Sequence, residues 1–286
     1  MTIAVTGATG QFGRHAIESL LDRGVPADQI VAIGRDQAKL DQLLDLGVTV
    51  RRADYGDPAS LRAAFAGVDR LLFVSGSEVG QRIPQHQAVV DAALEAGVGL
   101  VAYTSAPKAD TSDMVLAEEH RVTERALIAS GVPYVFLRNG WYIENYTDRL
   151  PVFLEHGLIG AAGDGLISVA TRADLAEAAA AALTGDGHQG RVYELGGQSF
   201  TLAVLAAEIA RQSGRDVRYT DLPEDAYAKA LEDAGLPAPA PAMLADSDRA
   251  ASQGALYVEG NDLEQLLGRP VTPWPEVVRA ALAKLA

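Results

Sequence analysis

The first half of the chain alternates short apolar segments with helical segments, and this alternation constrains the fold more than any other feature. The apolar segments at residues 3–6, 30–34 and 70–74 lack the polar alternation of a half-exposed strand, which is typical of strands buried on both faces. Segments such as residues 12–23 lie between them and carry apolar side chains at helical spacing. The alternation predicts an α/β fold in which helices cover both faces of a doubly wound parallel sheet.

The second half of the chain has a different pattern, with one alanine-rich helix and several shorter helical segments. We predict the alanine-rich helix at about residues 172–184, no regular element at residues 138–146, and a rigid connector where prolines cluster at residues 237–241. In the first half, residues 37–46 predict one continuous helix. The predicted division is into a first domain, residues 1–137 with helix 172–184, and a smaller, mostly helical part, residues 138–171 with 185–286.

The composition restricts the partners and the location of the protein. Its 286 residues include 38 acidic residues against 24 lysines and arginines, which gives a formal net charge of −14. Such a charge repels nucleic acid and anionic lipid, and the basic residues are not clustered, so we expect neither as a partner. No apolar run reaches the roughly 18 residues of a membrane helix, and no basic leader precedes the first strand. We therefore expect no membrane span and a cytoplasmic protein.

The sequence does not indicate a metal centre. Cysteine is absent, and the five histidines show no metal-ligand spacing. In so acidic a chain, a phosphorylated ligand has to be bound by local devices, namely helix N-termini and single arginines.

A glycine motif joins the first predicted strand to the first predicted helix. Its spacing is G-x-x-G-x-x-G rather than G-x-G-x-x-G, but the same physics applies. Gly7 permits a tight turn, Gly10 lets the backbone approach a pyrophosphate, and Gly13 lets the helix pack closely against the strand. Because phosphates bind free N–H groups at a helix N-terminus, the motif predicts a dinucleotide site, with a ligand-free tight turn as the alternative. The residues assigned to this site are Gly7, Thr9, Gly10, Gln11, Phe12 and Gly13.

The residue that ends the second strand distinguishes NADPH from NADH. NAD sites place an acidic residue there, about 20 residues after the glycines, to bind the ribose hydroxyls. This chain has Arg35, whose guanidinium matches a 2′-phosphate; Lys39 and Arg14 could assist it. Asp36 could instead accept from a ribose hydroxyl, and Arg35 could be an ordinary surface residue. We expect NADPH as the cofactor and NADH as a weaker alternative.

Small or polar residues follow three further strands at the same edge of the predicted sheet. The pair after the third strand could hold and cover an adenine, or could only form a turn that caps the next helix. Open α/β sheets bind ligands at the carboxyl ends of their strands, so all three groups are assigned to the cofactor site. These residues are Asp54, Tyr55, Ser75, Gly76, Ser77, Thr104 and Ser105.

The motifs together resemble a known family. The sequence is similar to atypical short-chain dehydrogenases/reductases of the NmrA-like group, and within it to the branch of NAD(P)H:quinone oxidoreductases and triphenylmethane reductases. The most specific match is the stretch LRNGWYIENY at residues 137–146. The resemblance covers nearly the whole chain. It implies a Rossmann-type domain that binds NADPH and a small C-terminal domain that closes a substrate cleft.

The sequence departs from the proton relay of ordinary short-chain dehydrogenases. That relay uses a serine and a Tyr-x-x-x-Lys on the following helix; Ser105 fits the serine, but the helix has no Tyr-x-x-x-Lys. His120 and Glu124 are four residues apart on one helical face, where the carboxylate could raise the pKa of the imidazole and orient it. A surface ion pair is the equally weighted alternative. His120 and Ser105 are therefore candidate catalytic residues.

An aromatic segment at residues 141–146 indicates a planar acceptor. A quinone or a cationic dye accepts hydride readily and can take its proton from water, so the protein need only stack and orient a flat ring. We expect Trp141, Tyr142, Asn145 and Tyr146 to bind the acceptor, and Tyr142 and Asn145 to take part in catalysis. The alternative is that these aromatic side chains only pack between the two parts of the chain.

The expected function is therefore NADPH-dependent hydride transfer to a quinone or a similar planar acceptor. A different class of function is a redox sensor that binds the dinucleotide and regulates partners without turnover. An enzyme of the sugar-nucleotide or isoflavonoid type is a third alternative, which the altered relay helix disfavours. No sequence feature indicates an oligomeric state.

Overall fold

A seven-stranded parallel sheet forms the centre of the molecule, and the computed structural model describes residues 1–78 and 80–285. The strands are, in chain order, β1 (Ile3–Val5), β2 (Ile30–Gly34), β3 (Thr49–Arg52), β4 (Arg70–Phe73), β5 (Leu100–Ser105), β6 (Tyr134–Asn139), β7 (Trp141–Tyr142), β8 (Leu158–Gly160), β9 (Ile167–Ala170), β10 (Val192–Leu195), β11 (Gln198–Phe200) and β12 (Tyr219–Asp221). The large sheet has the order β10-β6-β5-β4-β1-β2-β3. The direction of winding reverses at β1, so the carboxyl ends of β1 and β4 form the switch point where such sheets bind ligands.

Helices cover both faces of this sheet, which confirms the predicted doubly wound α/β fold. They are α1 (Gln11–Asp22), α2 (Gln37–Asp41), α3 (Pro58–Phe65), α4 (Arg82–Glu95), α5 (Val115–Ser130), α6 (Glu144–Thr147), α7 (Leu150–His156), α8 (Arg172–Thr184), α9 (Leu202–Ser213), α10 (Glu224–Asp233), α11 (Ala240–Ser252), α12 (Asp262–Leu267) and α13 (Trp274–Ala283). One face packs on α1, α8 and α12, and the other on α3, α4 and α5. Successive strand residues face opposite sides, so Leu72 packs into the first layer and Phe73 into the second.

The chain beyond β6 builds a second core with two small sheets of its own. In one, β9 pairs in parallel with β7 and antiparallel with β11; in the other, β8 pairs in parallel with β12. Phe153, Phe200 and Leu205 are buried in this core. The strand β10, which the sequence assigned to the smaller part, is the edge strand of the large sheet and pairs with β6.

Three expectations for local structure are wrong. The helix predicted over residues 37–46 ends at Asp41, because an i→i+3 bond of 2.8 Å from the Leu43 N–H to the Leu40 carbonyl tightens the chain and turns both leucines inward. Residues 138–146 are regular: β6 extends through Asn139, and β7 and α6 follow. The β7 pairing with β9 is a long-range contact, which the local pattern does not show.

The third correction concerns the proline cluster. Pro241 lies in the first turn of α11, where a missing N–H removes no helical bond. The prediction of a connector over residues 237–241 is therefore wrong at Pro241, while Pro237 and Pro239 do lie in the connection between α10 and α11. Within residues 1–78 and 80–285, no helix is both long and apolar enough to cross a bilayer.

Candidate functional site

A cleft of about 480 Å³ opens at the carboxyl ends of β1 to β4, at the switch point of the sheet. It contains most of the residues that the sequence assigned to a cofactor. The assigned residues in its lining are Gly7, Thr9, Gly10, Arg35, Asp54, Tyr55, Ser75, Gly76 and Ser77. The other assigned residues lie outside this lining: Gln11, Phe12 and Gly13 follow it along the chain in the first turn of α1, and Thr104 and Ser105 end β5.

The glycine motif has the geometry that its spacing predicts. Gly7 has a φ of +60°, which side chains rarely allow. A Cβ on Gly13 would lie 2.3 Å from the Gly7 carbonyl oxygen, so the helix packs directly on the turn. A Cβ on Gly10 would meet only that same oxygen, at 3.3 Å, so this position is open on the cleft side. No side chain caps the N-terminus of α1, and its first N–H groups are left for a ligand.

Arg35 lines the cleft directly after β2 and is paired with an acidic side chain from the opposite wall. Its guanidinium donates to the Glu78 carboxylate, and that carboxylate also accepts from Gln85 at 2.8 Å. Both members of the ion pair are about half exposed. The hydrogen bonds from Gln85 and Arg35 lower the pKa of Glu78, so the carboxylate is ionised at neutral pH. A phosphate that binds at Nη1 of Arg35 would therefore compete with Glu78 for the guanidinium.

The sequence named three further charged residues for the phosphate or ribose, and the structure gives each a different place. Lys39 lines the same cleft. Asp36 lines it too, but its carboxylate accepts from the Lys39 N–H and caps α2. Arg14 does not line the cleft; it forms an i,i+4 pair with Glu18 at 3.1 Å on the outer face of α1. The suggestion that Arg14 assists at the phosphate is therefore wrong, because its position on the helix directs it elsewhere.

Tyr55 forms part of the cleft wall through its ring, while its hydroxyl is committed to the sheet. The hydroxyl lies 2.6 Å from Thr6 Oγ1 and 2.7 Å from the Val74 carbonyl oxygen. Burial raises its pKa. Asp54 accepts from the Gly56 N–H at 2.8 Å, and Asp57, not Asp54, caps α3. The residue that caps the next helix is thus Asp57, while Asp54 and Tyr55 line the cleft.

The loop after β4 is fastened to the end of β5. The Ser75 N–H donates to Thr104 Oγ1 at 2.9 Å, and Thr104 is buried. Thr104 therefore supports the cleft from behind instead of lining it. Ser77 and Gly76 follow in the lining itself.

His120 is neither oriented by Glu124 nor part of a surface ion pair, the two arrangements that the sequence predicted. It is buried, and its Nδ1 lies 2.7 Å from the Tyr103 hydroxyl. Burial, together with the charge of Arg82, lowers its pKa well below the usual value. Glu124 does not contact it, because that carboxylate accepts from Arg138 Nη2 at 2.8 Å and from Ser105 Oγ at 2.6 Å. The predicted rise in the pKa of His120 and the surface ion pair are both wrong.

The aromatic segment reaches the glycine motif through Tyr142. The Tyr142 ring stacks on Phe12 with 6.3 Å between centroids, and the Arg172 guanidinium lies 5.2 Å from its centroid. Arg172 also donates to Asn145 Oδ1 at 3.2 Å and to Gln11 Oε1 at 2.9 Å. The predicted residues Gln11, Tyr142 and Asn145 therefore contact one guanidinium beside the first turn of α1, and Phe12 contacts the Tyr142 ring.

Trp141 and Tyr146 lie on the other side of the segment. Both are partly buried and pack against the second core, and Tyr146 meets Phe200 edge-on at 5.7 Å. The structure thus shows that packing accounts for part of their surface, while part of each side chain remains exposed.

Sequence reasoning missed two residues of this region. Arg172 begins α8 directly after β9, and its position after a buried strand was the available signal. Asn139 ends β6; it is buried, and neither polar atom of its carboxamide has a hydrogen-bond partner among the described residues. The prediction of an irregular segment at residues 138–146 obscured the fact that Asn139 ends a strand at the ligand-binding edge.

The fold and the cleft are those of a dinucleotide-binding protein, and comparison with known proteins agrees. A family described as NAD(P)H-binding matches residues 7–186. The match covers more than half of the chain, and the chain belongs to this family.

Two known proteins are similar over nearly the whole chain, and one of them matches both by sequence and by structure. Quinone oxidoreductase 2 of Escherichia coli (strain K12) is 54% identical over 278 residues, which are 96% of this chain and 97% of that protein. The structure of NADPH-dependent quinone oxidoreductase QOR2 from Escherichia coli with NADPH matches with a TM-score of 0.95 at 53% identity, over 98% of this chain and 100% of that one. The triphenylmethane reductase of Citrobacter sp. with NADP(H) matches with a TM-score of 0.93 at 40% identity, over 98% and 100%. The resemblance inferred from the sequence is confirmed.

Proposed function

We propose that this protein is an oxidoreductase that uses NADPH to reduce quinones or similar planar acceptors. The observation that carries the proposal is the 54% identity to quinone oxidoreductase 2 over nearly the full length of both chains. The second relative, a triphenylmethane reductase, extends the acceptor class to planar dyes.

The cleft suits a dinucleotide, which supplies the hydride when it is bound. Its lining begins at the uncapped N-terminus of α1, where backbone N–H groups and the helix dipole favour a pyrophosphate. Gly10 leaves room for close approach of that group. Tyr55 offers a flat surface near the adenosine end, with its hydroxyl held away from the ligand.

Arg35 and Lys39 are proposed to bind the 2′-phosphate of NADPH. A guanidinium binds a phosphate through two parallel N–H donors, which a ribose hydroxyl cannot match. The bound phosphate would take the place that Glu78 occupies on Arg35. NADH has no group to replace that carboxylate, so it should bind more weakly.

The acceptor is proposed to bind at the aromatic segment, against Tyr142 and Asn145 on one side and the exposed parts of Trp141 and Tyr146 on the other. The remainder of residues 138–171 and 185–286 would then form the acceptor side, while residues 1–137 and α8, together with β10 and α12, which belong to the large sheet and its helix layer, form the cofactor side. Arg172 would join the two sides, since it contacts Gln11 of the glycine motif and Asn145 of the aromatic segment. Asn139 is an additional candidate for a polar contact to acceptor or cofactor.

Neither candidate proton donor, His120 or Ser105, is placed to protonate an acceptor, and this favours a quinone over a ketone as the acceptor. Protonating a ketone during hydride transfer requires a positioned acid. His120 is buried with its pKa lowered, and Ser105 donates to Glu124, so neither is placed to give up a proton. A reduced quinone can take its proton from water. The chain's own residues then only bind, orient and shield the flat ring.

The test is NADPH oxidation with a panel of quinones, triphenylmethane dyes and ketones, beside NADH and a control without acceptor. The proposal predicts turnover with quinones, faster at low cofactor concentration with NADPH than with NADH. Tight NADPH binding without turnover of any acceptor would support a redox sensor instead. Turnover restricted to ketones would contradict the proposed acceptor class.

A further inference from the structure

The Gly76 peptide on the cleft wall is held from both sides by side chains of α4. Its N–H donates to His86 Nε2 at 2.9 Å, and its carbonyl oxygen accepts from Arg82 Nε at 2.5 Å. His86 and Arg82 are both buried behind the cleft. These two bonds fix the orientation of a peptide that forms part of the cofactor cleft.

The hydrogen bonds around His86 fix its tautomer. A backbone N–H can only donate, so Nε2 must carry the lone pair. The ring proton is then on Nδ1, which lies 2.8 Å from Thr123 Oγ1. The Thr123 hydroxyl in turn donates to the Glu119 carbonyl oxygen at 2.9 Å, so it is free to accept from Nδ1. In this row of three hydrogen bonds, from the Gly76 N–H through His86 and Thr123 to the Glu119 carbonyl oxygen, each polar hydrogen has one acceptor.

The environment keeps His86 neutral, as that tautomer requires. Burial, together with the positive charge of Arg82, lowers its pKa to about 3. A protonated ring would carry a proton on Nε2 and could not accept from Gly76. The bond to the cleft wall is therefore present throughout the physiological pH range.

Glu119 of α5 bonds to the loop between β4 and α4, which contains Gly76, and to the start of α4. Its carboxylate accepts from Arg82 Nη1 at 2.8 Å and from the Gly80 N–H at 2.8 Å. Arg82 and Glu119 side chains are only about a tenth exposed. A buried ion pair is weak support for stability, since apolar residues of the same volume often serve as well. This pair instead directs its hydrogen bonds to the loop that ends at the cleft.

We propose that His86, Arg82 and Glu119 are positioning residues for the cofactor: they hold the Gly76 peptide and the adjoining Ser77 in place against the dinucleotide. This inference rests on the proposed binding of NADPH. None of the three touches the reacting atoms. Their effect should appear in the affinity for NADPH and not in the rate of hydride transfer once NADPH is bound.

The decisive variants are His86→Phe and His86→Gln. Phenylalanine fills the space but cannot accept from the Gly76 N–H, whereas the glutamine amide oxygen can. We expect His86→Phe to raise the Kd and KM for NADPH about five- to twentyfold, with kcat at saturating NADPH and the quinone KM within about twofold of wild type. His86→Gln should recover most of the affinity. His156→Phe, at an exposed position on α7, is the matched control.

A second measurement does not depend on the variants. Nitrogen-15 NMR of the imidazole in the wild-type protein should show His86 neutral with its proton on Nδ1 from pH 5 to 8. A proton on Nε2 would overturn the inference even if His86→Phe fails to fold. Wild-type NADPH affinity in a folded His86→Phe variant would also overturn it. Failure of the wild-type protein to bind NADPH would instead contradict the proposed function, so the two failures are distinguishable.

Discussion

Arg35 and Glu78 form an ion pair that joins the two walls of the cofactor cleft. The cation that would select NADPH therefore already has an anionic partner before a cofactor binds. In Arg35→Ala, NADPH should lose about 1.5–3 kcal/mol of binding free energy, because a charge-assisted phosphate contact is removed. The affinity for NADH should barely change. Fluorescence titration with both cofactors measures this, and equal losses for the two would remove the role assigned to Arg35.

Glu78→Gln tests the same pair from the other side. The amide keeps the shape of the carboxylate but no longer competes as an anion for Arg35. Exposed ion pairs are worth about 0.2–1 kcal/mol, so NADPH affinity should rise by a factor between about 1.4 and 5. NADH affinity should stay nearly constant, and the gain should shrink at high salt. A fall in NADPH affinity would mean that Glu78 supports the cofactor instead of competing with it.

Gly10→Val should abolish dinucleotide binding and leave the fold intact. The nearest atom to a Cβ at this position is the Gly7 carbonyl oxygen at 3.3 Å, a contact that a small shift relieves. The remainder of a branched side chain would occupy the cleft where the backbone approaches the pyrophosphate. Circular dichroism controls for folding. If the folded variant titrates NADPH normally, the glycine motif does not bind the cofactor.

His120→Ala separates a quinone acceptor from a ketone acceptor. The substitution leaves the Tyr103 hydroxyl without its partner at 2.7 Å, so the free energy of unfolding should fall by about 1–3 kcal/mol. Turnover of a quinone should change only modestly at a temperature where the variant is folded. A loss of about 10²–10⁴-fold in kcat would show that His120 acts as an acid, in contradiction to its burial.

Trp141→Ala should reduce the use of the acceptor without affecting the cofactor. The indole is partly exposed on the aromatic segment, and its removal deletes surface for ring stacking. We expect kcat/KM for a quinone to fall about tenfold, with the Kd for NADPH unchanged. Trp141→Phe, which keeps a ring, is the control. Equal behaviour of the two variants and the wild type would assign Trp141 to packing alone.

The sequence predicted most of the fold and the cofactor cleft because both depend on local patterns. The strand–glycine–helix unit at Gly7 to Gly13 and the residues after β3 and β4 all lie where strand order and spacing placed them. The largest failure, at residues 138–146, depended on contacts between distant residues, whereas the early end of the helix at Asp41 came from a local i→i+3 bond. The pairing of Trp141 with Val169 created a strand that local polarity concealed.

The sequence also could not predict which side chains from other elements surround a given residue. The i,i+4 spacing of His120 and Glu124 is real, but Arg138 and Ser105 from the sheet take the carboxylate. His86 has no informative neighbours in the sequence, yet it contacts the cleft wall through Gly76. Spacing along one helix identifies residues that share a face and does not identify their partners from other elements.

Hydride transfer from NADPH to a quinone is tested most directly by an anaerobic single-turnover reaction with NADPH that carries deuterium at the transferable position of nicotinamide C4. We expect one hydroquinone formed per NADPH consumed, and slower cofactor oxidation with the deuterated form. We also expect no loss of rate in His120→Ala beyond a modest factor. Bound NADPH that persists unchanged in the presence of every quinone tested would contradict hydride transfer to a quinone.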